Sequence, residues 1–457
     1  MSSREIITVM SGGFGLELGH DLFNELSREH RLNPLGSRVS DGVLEPLDNI
    51  SVFFNETRDG NFLPRTISCD LSLERHTESS RGIFKVNSHI TNQSFTLNSG
   101  SGNCYANAFH TSGPPVAQKV LEGFRKEVEK CDSLQGVQFL FGTGGGTGSG
   151  LGGLIMKSVH DYLDCGTKSI LYAGCLAPSP RTSDNVLEIY NSVLAFQDMT
   201  EHCHLVLPFD KVRASRIGDI SKCLVGLTAS LRFPGILNAD LRKIHSYIVP
   251  FKNAHFLLSS VGSAQPRDSS PILDSVRRAL DRDAMLLSVD PGESRALATM
   301  LAFRGQISAS KVDEITIMLQ KAGSVFDKYY PDWIPDSISA SISGGPETSV
   351  SAFANNSCIH QFLDRIVSAF EKQLRAKSHL YLYEENGIHQ DEMNEARNVV
   401  AHVSDQYKEY AQWDDKIILK DPTRKTAVIN SYSSLTKDQL AIASELLALT
   451  DCVTEVK

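Results

Sequence analysis

The sequence predicts an α/β fold organised around a doubly wound parallel sheet. Over the first ~200 residues, short β-rich runs alternate with segments of helical periodicity. Several of those runs end in turns rich in glycine or carrying an aspartate, and a helix follows. The helices show apolar residues every three to four positions, as a single buried face requires.

The elements follow in order. "REIITVMSGGFGLELGHDLFNELSREH" (4–30) reads as strand, glycine turn (Gly12–Gly15) and helix, with Leu18, Leu22 and Leu26 on one face. "ISVFFNE" (50–56) is a second strand candidate, and "RTISCDL" (65–71) is a third that contains Asp70. A polar stretch leads to a further glycine turn in "LNSGSGNCYANAF" (97–109). "PPVAQKVLEGFRKEVEKCDSL" (114–134) is a helix with proline at its start, where the missing N–H costs nothing. "VQFLF" (137–141) is a buried strand, and "LGGLIMKSVHDYL" (151–163) is the helix beyond it. "KSILYAGCLAPSP" (168–180) is strand and turn, and "SDNVLEIYNSVLAFQDM" (183–199) is a helix with Ser183 as N-cap. Farther on, 223–251 reads as a buried helix, a break at Phe233-Pro234-Gly235 and a second helix. Strand-like 254–261, helix 271–280, the run 295–305 and helix 311–319 come next, and from Ile359 the chain is helical.

With 457 residues, 41% hydrophobic and 22% charged, the chain has material for a large core and about three domains at ~150 residues each. No run approaches the ~20 apolar residues of a membrane span, and "MSSREIITVM" lacks a secretory apolar region, so the expectation is a cytosolic or nuclear protein. A net charge of −9 argues against general nucleic-acid binding. Nine cysteines stand singly with no CxxC pair, which is read as reduced packing thiols rather than a zinc or disulfide framework. His30, His76 and His110 are isolated and are read as surface or structural residues.

The densest signal is "VQFLFGTGGGTGSGLGG" (137–153), in which eight of the last twelve residues are glycine. Glycine is favoured where backbone takes positive φ or approaches a ligand closely. Here the glycines join a strand to a helix start, where free N–H groups and the helix dipole favour an anion. Thr147 and Ser149 add hydroxyl donors. The pattern predicts phosphates cradled by main-chain amides. It is not a Walker loop, because no GK[ST] supplies a lysine, and the acidic residue of a dinucleotide fingerprint is missing. A ligand-free turn would account for one such loop. Three more at the same expected sheet edge (Gly12–Gly15, Asp70 and Gly100–Asn103) favour one ligand surrounded by several turns.

"GGGTGSG" (144–150) is similar to the tubulin signature, and the resemblance extends to about Trp413. "FFNETRDGNFLPRTISCDL", "FRKEVEKCDSLQGVQF", "APSPRTSDNVLEIYN", "SLRFPGILNADLRKIHSYIVPF", "FRGQISASKVDE" and "WIP" resemble β-type segments most, and "REIIT" also resembles γ-tubulin. The resemblance implies a tubulin/FtsZ-like fold: a doubly wound parallel-sheet GTPase domain (1–210), a central helix and α+β intermediate domain (211–370), and a C-terminal helical region (371–457). It implies GTP or GDP with Mg²⁺ as cofactors. It also implies head-to-tail pairing with an α-type tubulin in the microtubule lattice, in the cytoplasm and cytoskeleton. The "LNADLRK" loop of one subunit would complete the nucleotide site of the next. Where α-tubulins carry a catalytic glutamate there, this chain has Lys243, as β-tubulins do. At most weak GTP hydrolysis at a subunit interface is expected.

The residues this resemblance assigns to nucleotide are Gly12, Gly13, Asp70, Gly102, Asn103, Gly144, Gly145, Gly146, Thr147, Gly148, Ser149, Asp184, Glu188 and Lys211. Asn103 would approach the γ-phosphate, and Asp184 and Glu188 would border the ribose. Four departures stand out. "GGFGLE" replaces GQxGNQ, with Gly13 in place of a glutamine. Ser72 occupies the position of the acidic residue associated with Mg²⁺, leaving Asp70 nearby. Lys211 aligns with the asparagine that reads guanine. Between Lys211 and Phe233 the chain is much shorter than the family pattern. The expected lateral loop, Gly262–Asp274, is also short. The tail Asp414–Lys457 holds seven acidic and six basic residues rather than an acidic run. Its Thr436/Gln439 spacing and its leucines predict a helix. An alternative expectation is therefore a tubulin homologue with a degenerate nucleotide site, which regulates tubulin or serves a centriolar or ciliary structure.

Overall fold

The computed structural model describes residues 4–39, 48–72, 94–97, 100–164, 168–179, 185–214, 216–235, 240–263, 271–291, 294–320, 330, 337–344 and 348–412. The expected N-cap Ser183, Asp184, His76, most of the lateral loop and the tail helix lie outside them.

The main sheet has six parallel strands in the order β5-β4-β1-β6-β7-β8. They are β1 (Glu5–Ser11), β4 (Thr66–Asp70), β5 (Ser94–Thr96), β6 (Leu134–Gly142), β7 (Ile170–Ala177) and β8 (Leu205–Asp210). All seven residues of β1 are buried, because a central parallel strand is covered on both faces and reads as a continuous apolar run. Register aligns the strand ends. Ser11 sits opposite Cys69 and Phe141, Gly142 opposite Leu176, and Ala177 opposite Asp210. Every loop expected at the carboxyl edge therefore leaves the sheet on one side.

Helix α1 (Gly12–Glu29) buries Leu18, Leu22 and Leu26 on one face of the sheet. Three helices cover the other face: α2 (Pro114–Glu129), α3 (Gly152–Asp164) and α4 (Glu188–His202). Two long outer helices, α9 (Ile359–Arg375) and α10 (Gln390–Gln412), pack over α4 in the same core. A central helix, α5 (Ile217–Leu227), lies against α1 and leads to a second sheet of order β11-β10-β12-β9. That sheet comprises β9 (Leu258–Ser263), β10 (Ala296–Arg304), β11 (Ile338–Ser343) and β12 (Ser349–Asn356). β10 pairs with β11 in parallel and with β12 antiparallel. The intervening helices are α6 (Leu241–Ile248), α7 (Pro271–Leu280) and α8 (Ala309–Gln320).

Two expectations are corrected. Residues 50–56 do not form one strand. Ile50–Val52 is a 3₁₀ turn, and Phe54–Glu56 (β2) forms a hairpin with Phe62–Pro64 (β3) outside the main sheet. The cause is local. Ser51 Oγ donates to Asn49 Oδ1 at 2.6 Å, and both Phe53 and Phe54 turn edge-on to the buried Phe23. The expected glycine turn at Gly12–Gly15 is a single residue. Gly12 has φ +69° and already begins α1.

Candidate functional site

The candidate site is the carboxyl edge of the main sheet, where the β1, β4 and β6 turns converge. Gly12 shows why the sequence is glycine-rich there. A Cβ on it would lie 2.9 Å from the backbone nitrogen of Gly148. The two helix starts thus meet backbone to backbone. Gly146 is equally constrained, since its Cβ would lie 2.5 Å from Cys104 N and 2.7 Å from Asn103 C. Gly145, by contrast, is exposed, and nothing stands within 4 Å of where its Cβ would be.

The expected loop Gly144–Gly150 is mostly helix. Thr147–Leu151 forms a π-turn that runs directly into α3. The Ser149 N–H already bonds Gly145 O at 3.1 Å, and its hydroxyl bonds the same oxygen at 2.6 Å. Ser149 thus has a structural role in the turn. The N–H groups of Gly146, Thr147 and Gly148 precede any intrahelical acceptor, which is the arrangement that binds anions.

The Gly100–Asn103 turn is held beside this helix start. Gly100 N donates to Leu71 O at 2.8 Å, fixing the turn to the end of β4. Ser101 Oγ and Thr147 Oγ1 are 3.2 Å apart. Gly102 and Asn103 have φ of +59° and +56°, and both are exposed. Asparagine is one of the few residues that takes this left-handed conformation readily.

A residue not anticipated from sequence holds the two turns together. Asn191, on α4, is fully buried. Its Nδ2 donates to Asn103 O at 2.8 Å and to Gly144 O at 2.9 Å. Its Oδ1 accepts from Tyr105 N at 2.9 Å and from Tyr383 Oη at 2.6 Å. All four hydrogen-bonding capacities of the amide are used. The available signal was a polar residue on the buried stripe Leu187, Asn191, Leu194, Asp198 of a helix.

Two residues from Asn103, the buried Tyr105 donates to Asp198 Oδ2 at 2.7 Å. Burial pushes the Asp198 carboxyl up to about 7, against the opposing effect of that hydrogen bond. Burial and the neighbouring Asp198 hold the Tyr105 phenol well above its ordinary value.

The other expected residues are less concentrated. Glu188 lies beside the glycine cradle, its Oε1 2.7 Å from where a Gly144 Cβ would be. Gly13 lies in the first turn of α1. Lys211 is exposed at the end of β8, two strands from β6 and so ~10 Å along the edge. Asp70 is buried at the end of β4 and accepts from Ser72 N at 3.1 Å.

The constricted backbone joints and the orphan N–H groups at one helix start fit a polyphosphate. The donor set does not form a protein cage for Mg²⁺. Ser72 offers a hydroxyl where a hard cation favours carboxylate, and no cluster of three or more His, Cys, Asp or Glu side chains among the described residues suits a metal. No helix among the described residues is long and apolar enough to cross a membrane.

Comparison with family models gives two matches. Residues 5–219 match the model described as Tubulin/FtsZ family, GTPase domain, and residues 254–368 match the Tubulin C-terminal domain model. Together they span well over half of the chain. The first ends within α5 and the second covers the second sheet and part of α9.

Proposed function

The chain belongs to the tubulin/FtsZ family, and from that premise we propose that it is a β-like tubulin, a GTP-binding structural subunit that stacks head-to-tail with an α-type tubulin. The observation that carries the nucleotide reading is the joining of the 100–103 and 144–148 turns at one helix start, through Asn191 and the Ser101–Thr147 contact. The β-like reading is supported by Lys243. It is exposed in the first turn of α6, and its backbone N–H is capped by Asp240 Oδ1 at 2.7 Å.

In this reading the N–H groups of Gly146, Thr147 and Gly148 bind the phosphates, and Asn103 borders the terminal one. Glu188 borders the ribose side, and Lys211 stands at the base end of the edge. A bound nucleotide supplies the negative charge that the helix start and its donors neutralise. Lys243 has no carboxylate with which to orient and deprotonate water, so the chain presents a binding surface to its neighbour's nucleotide rather than a general base. The site of action is the cytoplasmic cytoskeleton.

A second reading is favoured by Ser72 and Lys211, which depart from the family pattern at the metal and base positions. Here the chain is a tubulin homologue that binds nucleotide weakly and acts on tubulin as a regulatory, centriolar or ciliary component. Chromatography of nucleotide released from purified protein separates the two. GTP or GDP near one per chain, with incorporation into microtubules alongside α-type tubulin, supports the first. An empty site with tubulin binding supports the second, and a folded chain with neither overturns both.

A further inference from the structure

We infer that Asn191 and Tyr383 are positioning residues that key the nucleotide cradle to the outer helix layer, so that the position of the outer helices sets the rate of nucleotide exchange. The inference rests on the nucleotide-binding reading of the glycine edge.

The geometry is specific. Asn191 holds the carbonyls of both Asn103 and Gly144, so shifting its amide moves both turns together. The amide is in turn oriented by Tyr383, whose hydroxyl donates to Oδ1 at 2.6 Å. Tyr383 is fully buried on a single helical turn, Tyr381–Glu384, that joins α9 to α10. Nothing in the cradle itself requires a partner 192 positions away in sequence.

Two further contacts bind the same outer turn and the residues just after it to the segment following Asn103. Cys104 Sγ approaches Leu382 O at 3.9 Å, and Thr111 Oγ1 lies 3.2 Å from Asn386 Oδ1. Aromatic packing backs the joint. Tyr190, the neighbour of Asn191 on α4, meets Tyr383 edge-on at 5.4 Å and Phe370 of α9 at 5.3 Å. α4 therefore contacts the cradle on one side and the outer layer on the other through adjacent residues. Because a packed amide with four bonds has one good orientation, displacement of the outer turn reaches the two carbonyls without an intervening flexible step.

The test is the dissociation rate of a fluorescent GTP analogue from the full chain. Tyr383→Phe removes one donor and leaves the ring in place. The expected result is release about 3- to 10-fold faster, the loss of one hydrogen bond at ~1.4 kcal/mol per tenfold. Asn191→Ala frees both carbonyls, and release about tenfold faster or more is expected. Ser404→Ala is the control. Ser404 Oγ donates to Asp364 Oδ1 at 2.7 Å between the same outer helices but touches neither turn, so it should lower stability without changing the release rate. Should Asn191→Ala fail to fold, Tyr383→Phe carries the test alone. Wild-type protein that binds the analogue, with release unchanged in Tyr383→Phe, overturns the inference alone. Wild-type protein that binds no nucleotide overturns the underlying reading and the inference with it. Equal acceleration in Ser404→Ala also overturns it, because general loosening would then explain the effect.

Discussion

Glu29 and Arg232 form a buried ion pair at 2.5 Å, and the other oxygen of Glu29 accepts from Arg304 at the same distance. Arg232 is fully buried, and its Nη2 also donates to Val225 O at 2.8 Å. Glu29 ends α1, the helix that starts at the glycine edge, whereas Arg304 ends β10 of the second sheet. The carboxylate thus ties the two sheets' domains at a point far from the nucleotide edge. The two guanidiniums, with the neighbouring hydrogen bonds, hold its pKa below the ordinary carboxylate value, although burial acts in the opposite direction as the largest single influence. Glu29→Ala would leave two buried cations facing each other. Removing one partner from such a group costs about 3–5 kcal/mol, so urea unfolding should show a loss of that order. A loss below about 1 kcal/mol would contradict the assignment of Glu29 as the link.

Neighbouring glycines in the cradle should respond differently to the same substitution. At Gly146 an added methyl meets backbone at 2.5 Å, so Gly146→Ala must displace the 101–104 turn. It should cost roughly 1–3 kcal/mol, as overpacked sites do, and weaken nucleotide binding. At Gly145 nothing stands in the way, so Gly145→Ala should leave the thermal midpoint nearly unchanged. Its methyl would still keep a phosphate from the backbone, and affinity should fall. Calorimetry of binding beside thermal melting checks the pair. If Gly145→Ala bound nucleotide like the wild type, the ligand would not pass over that face.

How much of this was legible in the sequence depended on what each residue packs against. β1, β6 and β7 could be read because both faces of a central parallel strand are covered. β11 (ISASIS) and β12 (SVSAFANN) could not. Their buried positions include Ser341, Ser343 and Ser351, which break the apolar pattern, and Ser343 Oγ donates to Phe303 O of β10 at 3.3 Å, as a buried hydroxyl requires. In the candidate site, the glycines announced themselves. Asn191 did not, since a single amide in a helix looks like a solvent-facing residue until its stripe is counted. Ser149 has a second role that its residue type did not announce. Its hydroxyl is expected to face phosphate, and it also bonds the carbonyl of Gly145 within the helix turn.

Asp198 makes stability depend on pH in an unusual direction. Its folded value near 7 lies above that of an unfolded carboxyl. Between about pH 4 and 7 the folded chain therefore binds more protons at this site, and its contribution to stability falls as pH rises. The buried histidines oppose this. Burial lowers His245 and His255 to about 4, so the folded chain binds fewer protons there and gains stability as pH rises to about 6.5. The sum hides the Asp198 effect, so the comparison must be with Asp198→Asn, which keeps an acceptor for Tyr105. The stability difference, variant minus wild type, should grow from pH 5 to pH 8, with a slope approaching about 1.4 kcal/mol per unit at its steepest. Urea unfolding across that range measures it, and parallel profiles would refute the raised carboxyl.

Lys243 offers the sharpest functional prediction. Its backbone N–H is fixed by Asp240, which also pairs with Arg4 at 3.1 Å, while its side chain is exposed. Changing the side chain should therefore leave α6 intact. Its Asp240 cap, by comparison, is worth about 1 kcal/mol, as N-caps generally are. In the proposed head-to-tail assembly, this turn faces the nucleotide of the adjoining subunit. Lys243→Glu would place there a carboxylate able to orient and accept a proton from water, at a helix start that also favours negative charge. Phosphate release from an assembly containing the variant should rise about 10²-fold or more, the usual contribution of a positioned general base, while the variant's own melting temperature stays within a few degrees of wild type. Lys243→Gln should leave hydrolysis at the wild-type rate, since an amide cannot take the proton. If both substitutions left phosphate release unchanged in an assembly that forms normally, this turn would not adjoin a neighbour's nucleotide, and the head-to-tail orientation proposed for the chain would have to be abandoned.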